Sequence, residues 1–237
     1  MKVTKREILC SIAIACIMLV FGLLIQQSIR TAVTKENKKY ETAIEIEDPA
    51  TFKYAMQTNV GNAFVYGDLK TVDPVSVEEI DGEWMWVEKV TEKHTRHQRT
   101  ITKKVGKNTV TEIQYYWTWD RVGTKTWHCE KISFLESEFD YGTISVSGSN
   151  YIRCDGRGSY RDKWYTGSLE HTGTIFTNLH DGTIEKTELN EGKDIEQLKK
   201  ELIKSTRLYV ILFWIFWSLL TGALIFGFCY LDNYWLE

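Results

Sequence analysis

Five histidines and two cysteines outside the apolar ends of the chain are the first candidates for metal binding or catalysis. The histidines are His94, His97, His128, His171 and His180. In a β-strand His94 and His97 point to opposite faces, so a shared metal ion would require a bend between them. The sequence has no Cys-x-x-Cys pair, no His-Glu-x-x-His motif and no glycine-rich phosphate loop. We therefore predict no catalytic residue, no metal site and no cofactor.

The two cysteines, Cys129 and Cys154, leave two alternatives open. They could form one disulfide on an oxidising side of a membrane, or remain two core thiols on a reducing side. The choice depends on which side of a membrane the middle of the chain occupies.

A basic segment followed by aromatic residues could bind nucleic acid through phosphate contacts and base stacking. Its cations are Lys93, Arg96, Arg99, Lys103, Lys104 and Lys107. The net charge of −3 and pI near 6.0 give no overall attraction to a polyanion. We favour an exposed hairpin, with its bend at residues 106–108, that precedes a core strand. No nucleic-acid partner is expected.

Two aromatic segments predict the core of a β-rich domain. Their predicted core residues are Trp84, Trp86, Tyr115, Trp117 and Trp119. The strict period of two across Thr109–Trp119 is the strongest strand signal in the chain, and we expect a central strand there. Further short strands are predicted at Asn62–Leu69 and within Gly167–Leu179. The glycine- and charge-rich run Asp155–Lys163 is expected to be an exposed loop.

These strands place a mainly-β domain at residues 49–192, with a helix on each side of it. The polar residues 31–48 are predicted to form a solvated helical connector before the domain. After the domain, Asp194 is a candidate N-cap for an amphipathic helix over residues 193–207. No glycine or proline lies between Lys193 and Leu208, so we expect this helix to continue into the apolar segment that follows.

The apolar segments Ile8–Ile25 and Leu208–Leu231 carry no charged residue over 18 and 24 positions. At about 1.5 Å per residue, such helices match a hydrocarbon core about 30 Å thick. We predict two transmembrane helices, although cleavage of a signal peptide after Ala32 is the alternative for the first. The fold class is therefore an α+β membrane protein, with transmembrane helices flanking one mainly-β domain.

Small residues four positions apart allow close contact between membrane helices. The predicted helix-packing residues are Ser11 and Ala15 on the first helix and Ser218, Gly222, Ala223 and Gly227 on the second. On this basis, replacement of Gly222 by leucine should loosen the pair.

The segments Glu83–Glu88 (EWMWVE) and Tyr115–Trp119 (YYWTW) resemble the membrane-adjacent domain of the LUMA family. They are similar, more faintly, to the beside-a-membrane domain of MULAN-type mitochondrial ligases. The likeness covers about Asn62–Phe134. LUMA-type proteins carry several C-terminal spans where this chain has one, and the ligases end in a zinc-binding RING that is absent from this sequence. The resemblance implies a scaffold domain beside a bilayer and no ligase activity.

Two classes of function follow from this organisation. The first is a multi-pass membrane protein that presents an interaction or scaffold domain beside the bilayer, with a protein partner or a second copy of itself. The second is a membrane-bound enzyme acting near the lipid surface. We favour the first, because the aromatic residues are not accompanied by convergent polar groups.

The charge pattern addresses which side the domain occupies. Eight lysines and arginines flank the apolar segments on the domain side and three on the other, which favours a cytoplasmic domain. The compact basic N-terminus and the placement of the domain in the resembled families argue the opposite. We predict a cytoplasmic domain.

Overall fold

The computed structural model describes residues 5–105 and 108–235 of the chain. Two compact units are present: a helical unit, made of Met1–Ala43 with Lys199–Glu237, and a β domain, Ile44–Leu198. Two helices in the described residues are long and apolar enough to cross a membrane by length and composition. The protein is thus α+β, with a mainly-β domain and long apolar helices toward both termini.

The described residues form four helices and fourteen strands. The helices are α1 (Lys5–Glu41), α2 (Pro49–Gln57), α3 (Ile195–Leu202) and α4 (Thr206–Trp235). The strands are β1 (Ile44–Ile46), β2 (Gly61–Thr71), β3 (Val75–Val77), β4 (Ile80–Trp84), β5 (Trp86–Val105), β6 (Asn108–His128), β7 (Lys131–Phe134), β8 (Ser137–Asp140), β9 (Ile144–Val146), β10 (Asn150–Arg157), β11 (Tyr160–Gly167), β12 (Glu170–His180), β13 (Thr183–Ile184) and β14 (Thr187–Glu191). Of the predicted bend at residues 106–108, Gly106 and Lys107 lie outside the described residues.

In the helical unit, α1 and α4 form an antiparallel pair. Near one end Arg6 Nη2 lies 2.8 Å from Asp232 Oδ1, and Ser11 Oγ lies 3.8 Å from Cys229 Sγ. Further along, the indole N–H of Trp217 donates to the carbonyl oxygen of Met18 at 2.9 Å. These contacts keep a constant antiparallel register along the two helices.

The close approach between α1 and α4 lies at Gly22. A Cβ added there would be 2.7 Å from Trp217 Nε1, so Trp217 occupies the space that a side chain would need. Gly222 and Gly227 have no atom within 4 Å of an added Cβ, and Ser218 and Ala223 are exposed. The prediction that Gly222 packs α4 against α1 is therefore wrong.

The remaining predicted packing residues lie elsewhere on α1 and α4. Ser11 lies at the contact through Cys229, and Ala15 is half-buried. Ser218 uses its hydroxyl to donate to the carbonyl oxygen of Trp214 on its own helix, at 2.7 Å. The small-residue pattern on α4 thus follows a face that does not contact α1.

The expected continuous helix into the second apolar segment is interrupted at residues 203–205, between α3 and α4. The Asn37 side chain donates to the Lys204 carbonyl oxygen at 2.8 Å and accepts the Lys204 N–H at 3.0 Å. Ser205 Oγ then accepts the N–H of Leu208 at 3.4 Å as α4 begins. Because Asn37 satisfies both backbone groups of Lys204, the chain can leave the helix there.

The entry to the β domain was missed by sequence reasoning. Asp48 Oδ2 accepts the Thr51 N–H at 2.8 Å, and Pro49 occupies the start of α2. An aspartate followed by proline is a local signal for a helix start. This pair spans the expected boundary between the connector, which ends at residue 48, and the domain, which begins at residue 49. The cap predicted for α3 is confirmed, since Asp194 Oδ1 accepts the Gln197 N–H at 2.7 Å.

The main sheet has the strand order β8-β7-β2-β12-β14-β9, with β1 paired to β2 and β13 paired to β12. One face of β2 and β12 carries Val65, Leu69 and Ile175, which are fully buried. Helix α2 adds Phe52 to this cluster, where its ring meets Phe134 edge-on at 6.0 Å. Burial of these apolar side chains is the main stabilising contribution to the domain.

The second sheet has four strands in the order β10-β11-β5-β6. Val87 and Trp164 of this sheet pack with Val77 and Ile80 of the two-stranded β3–β4 sheet and form a smaller core. The run Asp155–Lys163, expected to be a loop, contributes to the β10–β11 hairpin, whose register pairs Asp155 with Asp162. Strand β6 lies at the edge of this sheet, so the expectation of a central strand at Thr109–Trp119 is wrong.

Candidate interaction surface on the β5–β6 ribbon

The outer halves of β5 and β6 form a two-stranded ribbon. Strand β11 pairs with β5 up to Lys93, and beyond it β5 is paired with β6 from His94↔Trp119 to Val105↔Asn108. We call His94–Val105 with Asn108–Trp119 the ribbon. Its twelve residue pairs, at about 3.3 Å each, make it about 40 Å long.

One surface of the ribbon, which we call the aromatic face, carries Ile113, Tyr115, Trp117 and Trp119 opposite Thr100, Gln98, Arg96 and His94. Ile113, Tyr115 and Trp117 are 56–58% exposed. The expectation that Tyr115 and Trp117 are core residues is therefore wrong. Their strand lies beyond the part of the sheet that is covered, and the row of β5 side chains facing them is polar.

The side chains of His94 and Arg96 contact the aromatic rings of the neighbouring strand on the aromatic face. The His94 ring lies 4.9 Å from the ring of Trp117 and 4.8 Å from that of Trp119. The Arg96 guanidinium lies 4.9 Å from the Tyr115 ring centroid. These stacked contacts hold the rings in place without covering them, which leaves a preorganised aromatic surface in water.

The base of the aromatic face is fixed by an ion-pair cluster. The Arg161 guanidinium lies 4.3 Å from the Trp119 ring, and its Nε donates to Glu92 Oε2 at 2.5 Å. Glu92 also accepts a hydrogen bond from Lys163 at 3.0 Å. Burial of Glu92 acts to raise its pKa, but the bonds from Lys163 and Arg161 outweigh it and lower the pKa. Trp119, at this end of the ribbon, is half-buried.

The opposite surface, the histidine face, carries a short polar network. His97 Nε2 lies 2.6 Å from Asp120 Oδ2, and the Thr118 hydroxyl donates to Asp120 Oδ1 at 2.7 Å. The bonds from Thr118 and then from His97 lower the pKa of Asp120, so this carboxylate stays charged. In the described residues no serine or cysteine side chain is hydrogen-bonded to His97.

The ribbon is positively charged in a chain of net negative charge. The ribbon contains four lysines and arginines (Arg96, Arg99, Lys103 and Lys104) against one acidic residue, Glu112, whereas the whole chain has a net charge of −3. Glu112 is already engaged across the strands, 3.4 Å from Lys103. The ribbon therefore combines exposed rings with a local excess of positive charge, which favours an anionic partner.

The other predicted core residues lie at the two cores. Trp86 is partly buried against the main core, and Trp84 against the smaller one. A Cβ added at Gly167 would lie 2.1 Å from Trp86 Nε1, so the indole rests directly on that backbone. The Trp84 Nε1 atom is buried and has no hydrogen-bond partner within the described chain.

Comparison of the chain with family models, curated proteins and solved structures gave no match. The assignment of a site therefore rests on the residues themselves.

Among residues 5–105 and 108–235, no group of three His, Cys, Asp or Glu side chains could hold a metal ion. A surface cavity of about 360 Å³ is lined by residues that include Asp68 and Lys70. Asp68 accepts a hydrogen bond from the Thr172 hydroxyl, and Lys70 pairs with Glu170. These two charged groups are thus used in cross-strand contacts.

The sequence holds a signal that the aromatic face is exposed, namely the polar residues of the neighbouring strand. A buried strand face needs an apolar row on the neighbouring strand or sheet, and the β5 residues His94, Arg96 and Gln98 are polar. The strong alternation on β6 therefore indicated a strand but did not indicate burial.

Proposed function

We propose that the protein is a two-span membrane protein whose β domain is an interaction module, with the aromatic face of the ribbon as its contact surface. Both long helices carry exposed apolar side chains over most of their length, as expected of helices that face lipid. A domain of LUMA type held beside a bilayer is part of this proposal. Its support is the pair of aromatic segments.

The observation that carries the proposal is the exposure of Tyr115 and Trp117 in an ordered row with Arg96 and His94. Aromatic residues and arginine are the types enriched where binding energy concentrates in protein interfaces. The rings are already held in place, so a partner would not bear the full cost of ordering them. The excess positive charge indicates a protein partner with an acidic surface.

The enzyme alternative has weaker support. His97 and Asp120 form the one histidine–carboxylate pair on the ribbon described above, and it lacks a nucleophile or a bound metal ligand set among the described residues. A contact surface accounts for His97 and Asp120 without requiring a nucleophile or a metal ion. We therefore retain interaction as the function.

The test is affinity capture of the tagged full-length protein from detergent-solubilised native membranes. Tyr115→Ser with Trp117→Ser should reduce recovery of the captured partner by at least tenfold, because an interface anchor contributes about 2 kcal/mol or more. Tyr54→Ser with Tyr151→Ser is the matched control, since these tyrosines are 66% and 56% exposed and lie outside the ribbon. Circular dichroism should show unchanged secondary structure in both variants.

Salt dependence adds an independent readout of the predicted charge. Capture should weaken between about 0.1 M and about 1 M salt, where the screening length falls from ~10 Å to ~3 Å. Equal recovery with the ribbon variant and the control would contradict the proposal. If the captured partner is a second copy of this chain, light scattering should show a doubled mass for the unmodified protein. The variant with Tyr115→Ser and Trp117→Ser should then show the mass of a single chain.

A further inference from the structure

A groove in the helical unit combines two arginines with an apolar floor. A cavity of about 460 Å³ is lined by Arg30, Thr34, Thr206, Arg207, Val210 and Ile211. Arg30 follows the apolar run of α1 and Arg207 precedes that of α4, so the two arginines lie at the same end of the antiparallel pair. This end is the one that leads into the β domain along the chain.

The groove continues along α4 as an apolar surface. A second cavity, of about 630 Å³, shares Val210 and Ile211 with the first and is further lined by Trp214, Ile215, Ser218 and Leu219. From Val210 to Leu219 a helix rises about 14 Å, close to one leaflet's share of a hydrocarbon core ~30 Å thick. The indole N–H of Trp214 donates to Gln26 Oε1 at 2.5 Å, which fixes this wall of the groove.

The cationic end of the groove has unused binding capacity. Arg30 and Arg207 are exposed, and in the described part of the chain neither makes an ion pair. The nearby carboxylate Glu36 is bonded to Lys204 at 2.8 Å. Thr34 and Thr206 line the same cavity as the two arginines, and their hydroxyls can also donate to an anion.

We propose that this groove binds one anionic phospholipid. Arg30 and Arg207 contact the headgroup phosphate, since the guanidinium fork matches phosphate oxygens, and an acyl chain lies along Val210 to Leu219. A free phosphate would leave the apolar part empty. In a zwitterionic lipid the choline cation offsets the charge of the phosphate, so such a lipid brings no net negative charge to the two arginines. This inference rests on the proposed function in one respect, namely that α1 and α4 lie in a bilayer.

The test is native mass spectrometry of the full-length protein purified in detergent. The probes are phosphatidylglycerol and phosphatidylcholine with identical acyl chains, and glycerol phosphate as the headgroup without chains. Phosphatidylglycerol should bind at least tenfold tighter than either of the others, and each of Arg30→Gln and Arg207→Gln should weaken it by about tenfold, the loss expected for one charge-assisted contact. Lys35→Gln and Lys200→Gln, made one at a time, are the controls of equal charge change, and each should bind as the unmodified protein does.

A variant of the apolar part separates the acyl chain from the headgroup. Ile211→Trp should fill the groove and reduce lipid binding while both arginines remain, whereas Leu212→Trp, outside both cavity linings, should not. Equal binding of the two lipids, or retention by the arginine variants, would overturn the proposal. Equal binding of glycerol phosphate would show a phosphate site in place of a lipid site.

Alkaline carbonate extraction of native membranes reports separately on membrane insertion. A chain that stays in the membrane pellet but shows no preference for phosphatidylglycerol would refute the lipid site alone. A chain released by carbonate would refute the two-span proposal and, with it, the lipid as the natural occupant.

Discussion

At the scale of single residues, the two cysteines of the β domain differ in environment. Both are free thiols; Cys129 is fully buried and Cys154 is exposed on β10. The Asp73 carboxylate accepts the backbone N–H groups of Glu130 and Lys131 at 2.6 and 2.8 Å, and these bonds lower the pKa of Asp73. Burial, and then the charge of Asp73, raise the pKa of the Cys129 thiol to about 11.

This difference predicts selective labelling. At pH about 8, near the ordinary thiol pKa, iodoacetamide should modify Cys154 in the folded protein and leave Cys129 unmodified until urea unfolds the domain. Peptide mass spectrometry measures the modification of Cys129 and Cys154 in one sample. In the Cys154→Ser variant, any modification that remains in the β domain is at Cys129. Rapid modification of Cys129 without urea would show that this thiol is not buried.

The raised pKa also predicts how stability depends on pH. The folded state favours the protonated thiol, so this contribution is fully present below the ordinary thiol pKa and is lost as the pH rises through about 11. Cys129→Ser should therefore reduce the alkaline decline of the urea midpoint. The matched Cys154→Ser should leave that decline unchanged.

Residue-scale features were predictable from sequence where the determinant is local. The Asp194 cap required only an aspartate three residues before Gln197 and an amphipathic stripe after it. The environment of Cys129 could not be predicted in this way, because it depends on the charge of Asp73, which is distant in sequence. Asp73 is held near Cys129 by its bonds to the N–H groups of Glu130 and Lys131. Of the two alternatives, that of two core thiols fits the burial of Cys129 and does not fit Cys154, which is exposed.

At the scale of elements, the ribbon shows what periodicity can and cannot establish. Alternation across Thr109–Trp119 predicted a strand and correctly placed Tyr115 and Trp117 on one face. Whether that face is buried depends on a second layer, and layers are set by non-local pairing. The exposed character of the basic segment was predicted, but the aromatic side of the candidate site was not.

The contact between α1 and α4 gives an element-scale prediction with a matched pair of variants. Gly22→Leu should disrupt the contact, because its side chain would collide with Trp217, and overpacking of this kind costs about 1–3 kcal/mol. Gly222→Leu has open space at the Cβ position and should leave the contact intact.

Disulfide crosslinking measures this contact directly. Ser11→Cys places a thiol near the native Cys229, which lies 3.8 Å from the serine oxygen, in a background without the other cysteines. The crosslinked fraction should fall several-fold in Gly22→Leu and stay constant in Gly222→Leu. The reverse pattern would restore the small-residue face as the contact between these helices.

At the scale of the whole molecule, the sequence predicted the order of parts because composition alone separates them. Uncharged runs of 18 and 24 residues exceed what a soluble domain ordinarily exposes, and the strand-rich segment between them is long enough for its own core. The interruption between α3 and α4 was not predictable, because it depends on Asn37 meeting Lys204 across 167 positions of sequence.

The remaining whole-molecule property is the side of the membrane on which the β domain lies. Lys199, Lys200, Lys204 and Arg207 precede the second apolar segment, and no lysine or arginine follows it. We therefore expect the domain in the cytoplasm. The anionic lipids of a cytoplasmic leaflet would then lie at the level of Arg30 and Arg207.

Cys154 is a natural probe of this orientation. Gly158 is a poorer position for an engineered thiol, because its φ of +62° would strain any other residue. In a variant whose sole cysteine is Cys154, a membrane-impermeant maleimide should label the domain only after cell lysis. A second variant, cysteine-free except for Glu237→Cys, should be labelled in intact cells. Labelling of Cys154 in intact cells, with protection of the Glu237→Cys variant, would place the domain outside and reverse the predicted orientation.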